Sequence, residues 1–126
     1  MSNFVRMFKP QFSALVESGE KRQTVRPVPK RMPKPGDTIS LRAWTGAPYR
    51  SKQRVLSEAV ISGVHRVTIT QDGVVCHGIS GAEYAPGNDG FAKADGFESW
   101  DQMREWFLEQ HGLPFNGIAI YWRNLP

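Results

Sequence analysis

The 126 residues match the size of one domain (1–126), and 40% apolar with 11% aromatic side chains point to a globular core, not a disordered chain. Sixteen Lys and Arg against 12 acids leave +4, and the longest apolar run, six residues from Gly117 to Trp122, falls far short of the roughly 20 that span a bilayer. One cysteine (Cys76), three histidines without zinc-ligand spacing and first residues lacking an apolar signal core predict a cytoplasmic, reduced protein without metal, cofactor or membrane anchor.

Phe4-Val5-Arg6-Met7-Phe8 alternates as a short strand, with Phe4, Arg6 and Phe8 on one side. Pro10 suits a first helical turn, and Phe12, Leu15 and Val16 form the apolar stripe of a short helix that Gly19 ends with a left-handed cap. Thr24-Val25-Arg26 is a brief extended segment closed by Pro27, and prolines 27, 29, 33 and 35 make a basic loop that joins neither ladder nor helix. From the turn Pro35-Gly36-Asp37, a strand leaves over Thr38 to Trp44. After a loop from Thr45 to Ser51, a strand runs over about Val55 to Ile61, is interrupted at Gly63 as by a bulge, and continues from Val64 to Ile69. Gln71-Asp72-Gly73 turns into Val74-Val75-Cys76, and most of Gly78 to Gly96 reads as loop. Ser99 opens a second helix as N-cap, with Gln102 completing a capping box and Trp100, Met103, Trp106 and Phe107 as its apolar face. Gly112 and Pro114 end it, and Gly117 to Trp122 is the last strand. This order predicts an α+β fold, a small sheet able to close with two helices outside.

The charge is unevenly placed. Residues 1–54 carry 12 basic residues against Glu17, Glu20 and Asp37, a net +9, whereas residues 55–126 net −5. A basic half fits a polyanionic partner, and it also fits a merely solvated face. Arg26, Arg42, Arg50, Lys52 and Arg54 are interleaved with Trp44 and Tyr49. Such cations hold phosphates, and an aromatic ring stacks an unpaired base for about 1–3 kcal/mol. Trp44 reads rather as core than as a stacking ring; Tyr49, in a loop beside Pro48, is the better stacking candidate.

The segment Gly19-Glu20-Lys21-Arg22-Gln23-Thr24-Val25-Arg26 reads G-x-K-x-x-T-V-R directly after a short helix and is followed by Pro35-Gly36-Asp37-Thr38-Ile39. With Asp95-Gly96-Phe97-Glu98-Ser99-Trp100 leading into a helix and Phe115-Asn116-Gly117-Ile118 into a strand, the chain resembles the ASCH domain family of the PUA-like superfamily over nearly its whole length. The resemblance implies a small mixed or antiparallel β-barrel with two main flanking helices and a cleft facing RNA or a modified nucleoside. It also implies an enzyme. In the bacterial N4-acetylcytidine amidohydrolases a Lys and a Thr of this motif serve as base and nucleophile, and a downstream Glu donates a proton. The first two positions fall on Lys21 and Thr24. The third falls on Asp95, one methylene shorter than the family's Glu, with Glu98 as the nearby substitute acid. Arg26, Arg42, Tyr49, Arg50 and Lys52 are the substrate- or nucleic-acid-binding candidates.

The chemistry is coherent on its own terms. A threonine hydroxyl attacks only when a base takes its proton. Lysine is that base only when its pKa falls well below about 10.4, and burial and nearby positive charge, here Arg22 and Arg26, lower it. A carboxylic acid opposite would protonate the departing exocyclic amine. The expected function is therefore hydrolysis of the C–N amide bond of N4-acylated cytosine nucleosides. Two rivals stand beside it: a non-catalytic binding module for RNA or a modified base, and a metal-assisted ribonuclease. Against catalysis, Thr24 suits a strand on propensity alone, and a lysine just past a helix C-terminus is favourable when solvated.

Overall fold

The computed structural model describes residues 2–77 and 83–125, so residues 78–82 of the expected loop lie outside it. In chain order the elements are β1 (Asn3–Met7), α1 (Pro10–Ser18), β2 (Gln23–Arg26), β3 (Thr38–Trp44), β4 (Gln53–Ile69), β5 (Val74–His77), β6 (Glu83–Tyr84), α2 (Asn88–Ala94), α3 (Trp100–Gln110) and β7 (Phe115–Asn124). The fold is mixed α+β, and none of its described helices is long and apolar enough to cross a membrane.

β4 is the spine. Ala59 and Val60 pair with both β3 and β7, which therefore flank β4 on opposite edges, and Arg66 to Ile69 pair with β7 and with β5. β1 joins β3 in parallel, β2 joins β7 antiparallel and β6 extends β5. Gly63 sits at a register shift against β7, the bulge the sequence announces, and β4 passes through it as one strand of 17 residues. The core lies inside the curl of the sheet, where Phe4, Phe8, Ile39, Leu41, Ile61 and Ile120 meet Phe12 and Val16 of α1 and Met103 and Phe107 of α3.

Local signals placed the long elements correctly. Pro10 begins α1, and Gly19 at φ 84° closes it in the left-handed region. The Asp37 carboxylate of the Pro-Gly-Asp turn accepts the N–H groups of Ser2 at 3.0 Å and Lys34 at 2.9 Å, and these hold its pKa below the usual range. Ser99 Oγ accepts from the Gln102 N–H at 3.2 Å, but the reciprocal arm departs from the expected box: Gln102 Oε1 accepts from the Glu98 N–H instead.

Two expectations are corrected. The sheet is not a closed barrel, because β1 and β2, the ends of the path β1-β3-β4-β7-β2, share no ladder. A side chain crosses that seam instead: Arg26 Nη2 donates to Met7 O at 2.7 Å. Among the described residues there are also three helices, not two, since α2 forms where loop was expected. Its seven residues have no readable period. It is held by tertiary contacts, with Phe91 and Ala92 buried and Asp89 Oδ1 accepting the Trp100 N–H at 2.9 Å.

Candidate functional site

The motif Gly19 to Arg26 bridges α1 to β2, and the folded chain brings the α2–α3 link against it. The Lys21 N–H donates to Leu15 O at the end of α1, and the Arg22 N–H donates to Ala94 O at the end of α2. Asp95 caps α2, and Gly96 follows at φ +95°. A Cβ on Gly96 would stand 3.0 Å from Lys21 Cδ and 3.2 Å from the Phe12 ring, so glycine allows this close approach as well as the turn.

Lys21, Gln23, Thr24 and Asp95 are all buried, Lys21 to 2% exposure and Asp95 to 4%. Lys21 Nζ donates to the backbone oxygen of Asp95 and lies 3.6 Å from its Oδ2. The same ammonium sits 4.9 Å from the Phe12 ring centre and 5.7 Å from that of Phe8. Gln23 Nε2 donates to Asp95 Oδ1 at 3.3 Å. One strand repeat on, Arg26 Nε donates to Thr24 Oγ1 at 3.0 Å, and its guanidinium lies 5.0 Å from the Phe8 ring centre.

Burial dominates the electrostatics. It pushes the Lys21 ammonium below its ordinary pKa, with Arg26 adding to the shift and Asp95 opposing it. It raises the Asp95 carboxyl against the pull of Lys21 and Gln23. Desolvation thus favours the uncharged form at both ends of the pair, and the gap between amine and acid narrows from both sides. Arg26 is lowered to about 10 by burial and by Arg6, and stays a cation at neutral pH.

Lys21, Thr24, Arg26 and Asp95 line one cavity of about 260 Å³ with aromatic walls from Phe8, Phe12, Phe97 and Trp106. His111, just past α3, also lines it; burial and Lys9 lower its pKa, so its imidazole is neutral at pH 7. Of the residues expected from the sequence, Lys21, Thr24, Arg26 and Asp95 come together here. Glu98 does not: it is exposed and lines a separate open groove with Glu20 and Arg22.

The remaining basic candidates lie elsewhere. Arg42 projects from the opposite face of β3 to buried Leu41 and Ala43, and bonds Ser40 Oγ at 2.8 Å and Gln53 Oε1 at 2.9 Å. Tyr49 is 90% exposed, its ring centre 5.1 Å from that of the half-buried Trp44, and Arg50 and Lys52 are exposed beside it. None of these four lines the cavity. Among the described residues no three His, Cys, Asp or Glu side chains gather as a metal site.

Sequence reading missed Phe8, Phe12 and His111 as cavity groups, and Gln23 as the amide that bonds Asp95. Gln23 was visible only as an unassigned position between Lys21 and Thr24, and the two Phe rings read as core. Nothing in the order of residues singles out His111.

No protein-family model matches the chain, and no curated protein matches it significantly. In fold the chain is similar to the crystal structure of the hypothetical protein PH0355, with a TM-score of 0.57 at 13% identity over 98% of this chain and 99% of that one.

Proposed function

We propose that the protein is an ASCH-type amidohydrolase that removes the acyl group from N4-acylated cytosine. One observation carries the reading: a buried lysine with lowered pKa, a buried carboxyl with raised pKa and a threonine hydroxyl share one small aromatic-walled cavity. At about 260 Å³ the cavity lies just under the roughly 300–1,000 Å³ usual for ligand sites, which suits a planar base with a short acyl group.

Each group then has a role. Within the resting ion pair Lys21 first passes its proton to Asp95; as the free amine it then takes the proton of Thr24 Oγ1, and the oxygen attacks the acyl carbonyl carbon. Arg26, already donating to Thr24 Oγ1, offsets the negative charge that develops. Collapse of the tetrahedral intermediate breaks the C–N4 bond, and the departing nitrogen takes the Asp95 carboxyl proton. Proton transfer from Lys21 to Asp95 across 3.6 Å resets both groups. Water, deprotonated by Lys21, then clears the acyl-threonine, and Thr24 leaves with that proton.

A non-catalytic module for modified bases is the second reading. It is favoured by the bonds themselves, since Lys21 Nζ is engaged by Asp95 and Thr24 Oγ1 by Arg26. Incubation with N4-acetylcytidine separates the two, with products read by chromatography and mass. Cytidine and acetate from the wild type, and from neither Lys21→Met nor Thr24→Ala, support the hydrolase. Unchanged ligand with a cooperatively melting protein overturns it, and saturable binding of that ligand then supports the module.

A further inference from the structure

The open edge of β1 carries a feature that the deacylation chemistry does not use. Ser2 O accepts from the Thr38 N–H and the Phe8 N–H donates to Arg42 O, so the even-numbered residues bond to β3. The carbonyls of Asn3, Val5 and Met7 therefore face the free edge. A guanidinium takes each of them: Arg31 Nη2 to Asn3 O at 2.9 Å, Arg6 Nη1 to Val5 O at 2.9 Å, and Arg26 Nη2 to Met7 O at 2.7 Å. Carbonyls two residues apart on a strand are separated by about 6.6 Å, so the three cations stand in file over about 13 Å. Phe rings back them, with Arg31 4.2 Å and Arg6 5.4 Å from the Phe4 ring centre and Arg26 5.0 Å from that of Phe8.

Blunting an exposed edge against other strands would explain one such contact. It does not explain three like charges in sequence. Among the described residues no carboxylate forms an ion pair with any of them, and each keeps at least three of its five N–H donors. Arg31 helps to lower the pKa of Arg6, and Arg6 that of Arg26, a mutual repulsion that an anion would relieve. The file also has a direction, because Arg26, its inner end, lines the cavity with Lys21, Thr24 and Asp95.

We propose that Arg31, Arg6 and Arg26 hold successive phosphates of a single-stranded nucleic acid and lead one base into the cavity, so that the site acts on a base within a strand. The spacing is close to the length of one extended nucleotide, and each guanidinium can take phosphate oxygens with paired donors. The strand must be single because a paired, stacked base cannot leave its stack to enter so small a pocket. The acyl chemistry rests on the reading above; the binding of a strand does not.

The test is fluorescence anisotropy with end-labelled single-stranded oligonucleotides of about eight residues, RNA and DNA, across a salt series. Three phosphate contacts predict a log–log salt slope near −2, which is roughly a 20-fold loss of affinity between 50 and 200 mM salt. Arg6→Gln and Arg31→Gln should each reduce the slope by about 0.7, melt cooperatively, and leave turnover of free N4-acetylcytidine unchanged. Arg50→Gln, on the remote hairpin tip, should leave the slope unchanged. Equal affinity for a duplex or for polyglutamate, or a slope that responds to Arg50→Gln and not to Arg6→Gln and Arg31→Gln, overturns the file. Strand binding with the expected slopes but without deacylation retains the file and sinks the amidohydrolase. Nucleoside turnover without strand binding does the reverse.

Discussion

Replacing Lys21 with Met removes one half of a buried ion pair and keeps the bulk of the stem. Asp95, 4% exposed, then loses the ammonium 3.6 Å away and retains the Gln23 amide at 3.3 Å. A lone carboxylate there is too poorly solvated to stay charged, and it takes up a proton. Holding a carboxyl of ordinary pKa near 3.9 protonated at pH 7 costs about 4 kcal/mol, at 1.36 kcal/mol per unit, within the about 3–5 kcal/mol for breaking a buried pair. The penalty depends on pH with a definite sign. In the variant the folded pKa of Asp95 lies above its unfolded value, so stability is retained below the unfolded pKa and lost as pH rises. At pH 5 the same arithmetic leaves about 1.5 kcal/mol. Asp95→Asn does the opposite: Lys21 must shed its proton to stay buried, and that penalty shrinks as pH rises toward 10. The double variant, with neither charge, should be more stable at pH 7 than the sum of the two losses predicts. Urea unfolding followed by tryptophan fluorescence at pH 5, 7 and 9 measures all four proteins. A Lys21→Met loss under about 1 kcal/mol at pH 7, or one that does not change with pH, would refute the reasoning.

Three further outcomes are expected. A Cβ on Gly117 would stand 2.3 Å from Arg26 O and 2.7 Å from the Phe115 ring, so Gly117→Ala should push β2 off β7. Its loss should reach or exceed the about 1–3 kcal/mol of ordinary overpacking, read by urea unfolding, and turnover should fall because β2 carries Thr24 and Arg26. Ser99→Ala should cost about 1 kcal/mol through the lost bond to the Gln102 N–H, and Ser99→Asp should restore it in the same assay. Turnover of N4-acetylcytidine should follow a bell in pH, rising as the Lys21–Asp95 pair loses its first proton and falling as it loses the second. Any residual activity of Asp95→Asn should lack the alkaline limb, and an intact limb would assign that titration to another group.

Local order was enough for elements whose signals lie within a few residues. Pro10 and Gly19 bound α1, Ser99 and Gly112 bound α3, and Gly63 marks the bulge of β4, because caps, periods and bulges depend on neighbouring residues. The spacing from Lys21 to Thr24 was visible for the same reason. The helix α2 was not, since Gly87 and Gly90 weaken its pattern and its stability comes from buried Phe91 and from Asp89 reaching Trp100. The sequence put the third motif position on Asp95 with Glu98 as its substitute, and only the folded chain sets the α2 cap and Gly96 against Lys21 while leaving Glu98 exposed in another groove. The arginine file likewise needs the parallel register of β1 on β3, which joins residues 35 apart in the chain and turns the carbonyls of Asn3, Val5 and Met7 outward. The lowered lysine and raised carboxyl are tertiary properties too. A pKa shift measures the water removed from a charge, and that removal comes from segments distant in the sequence.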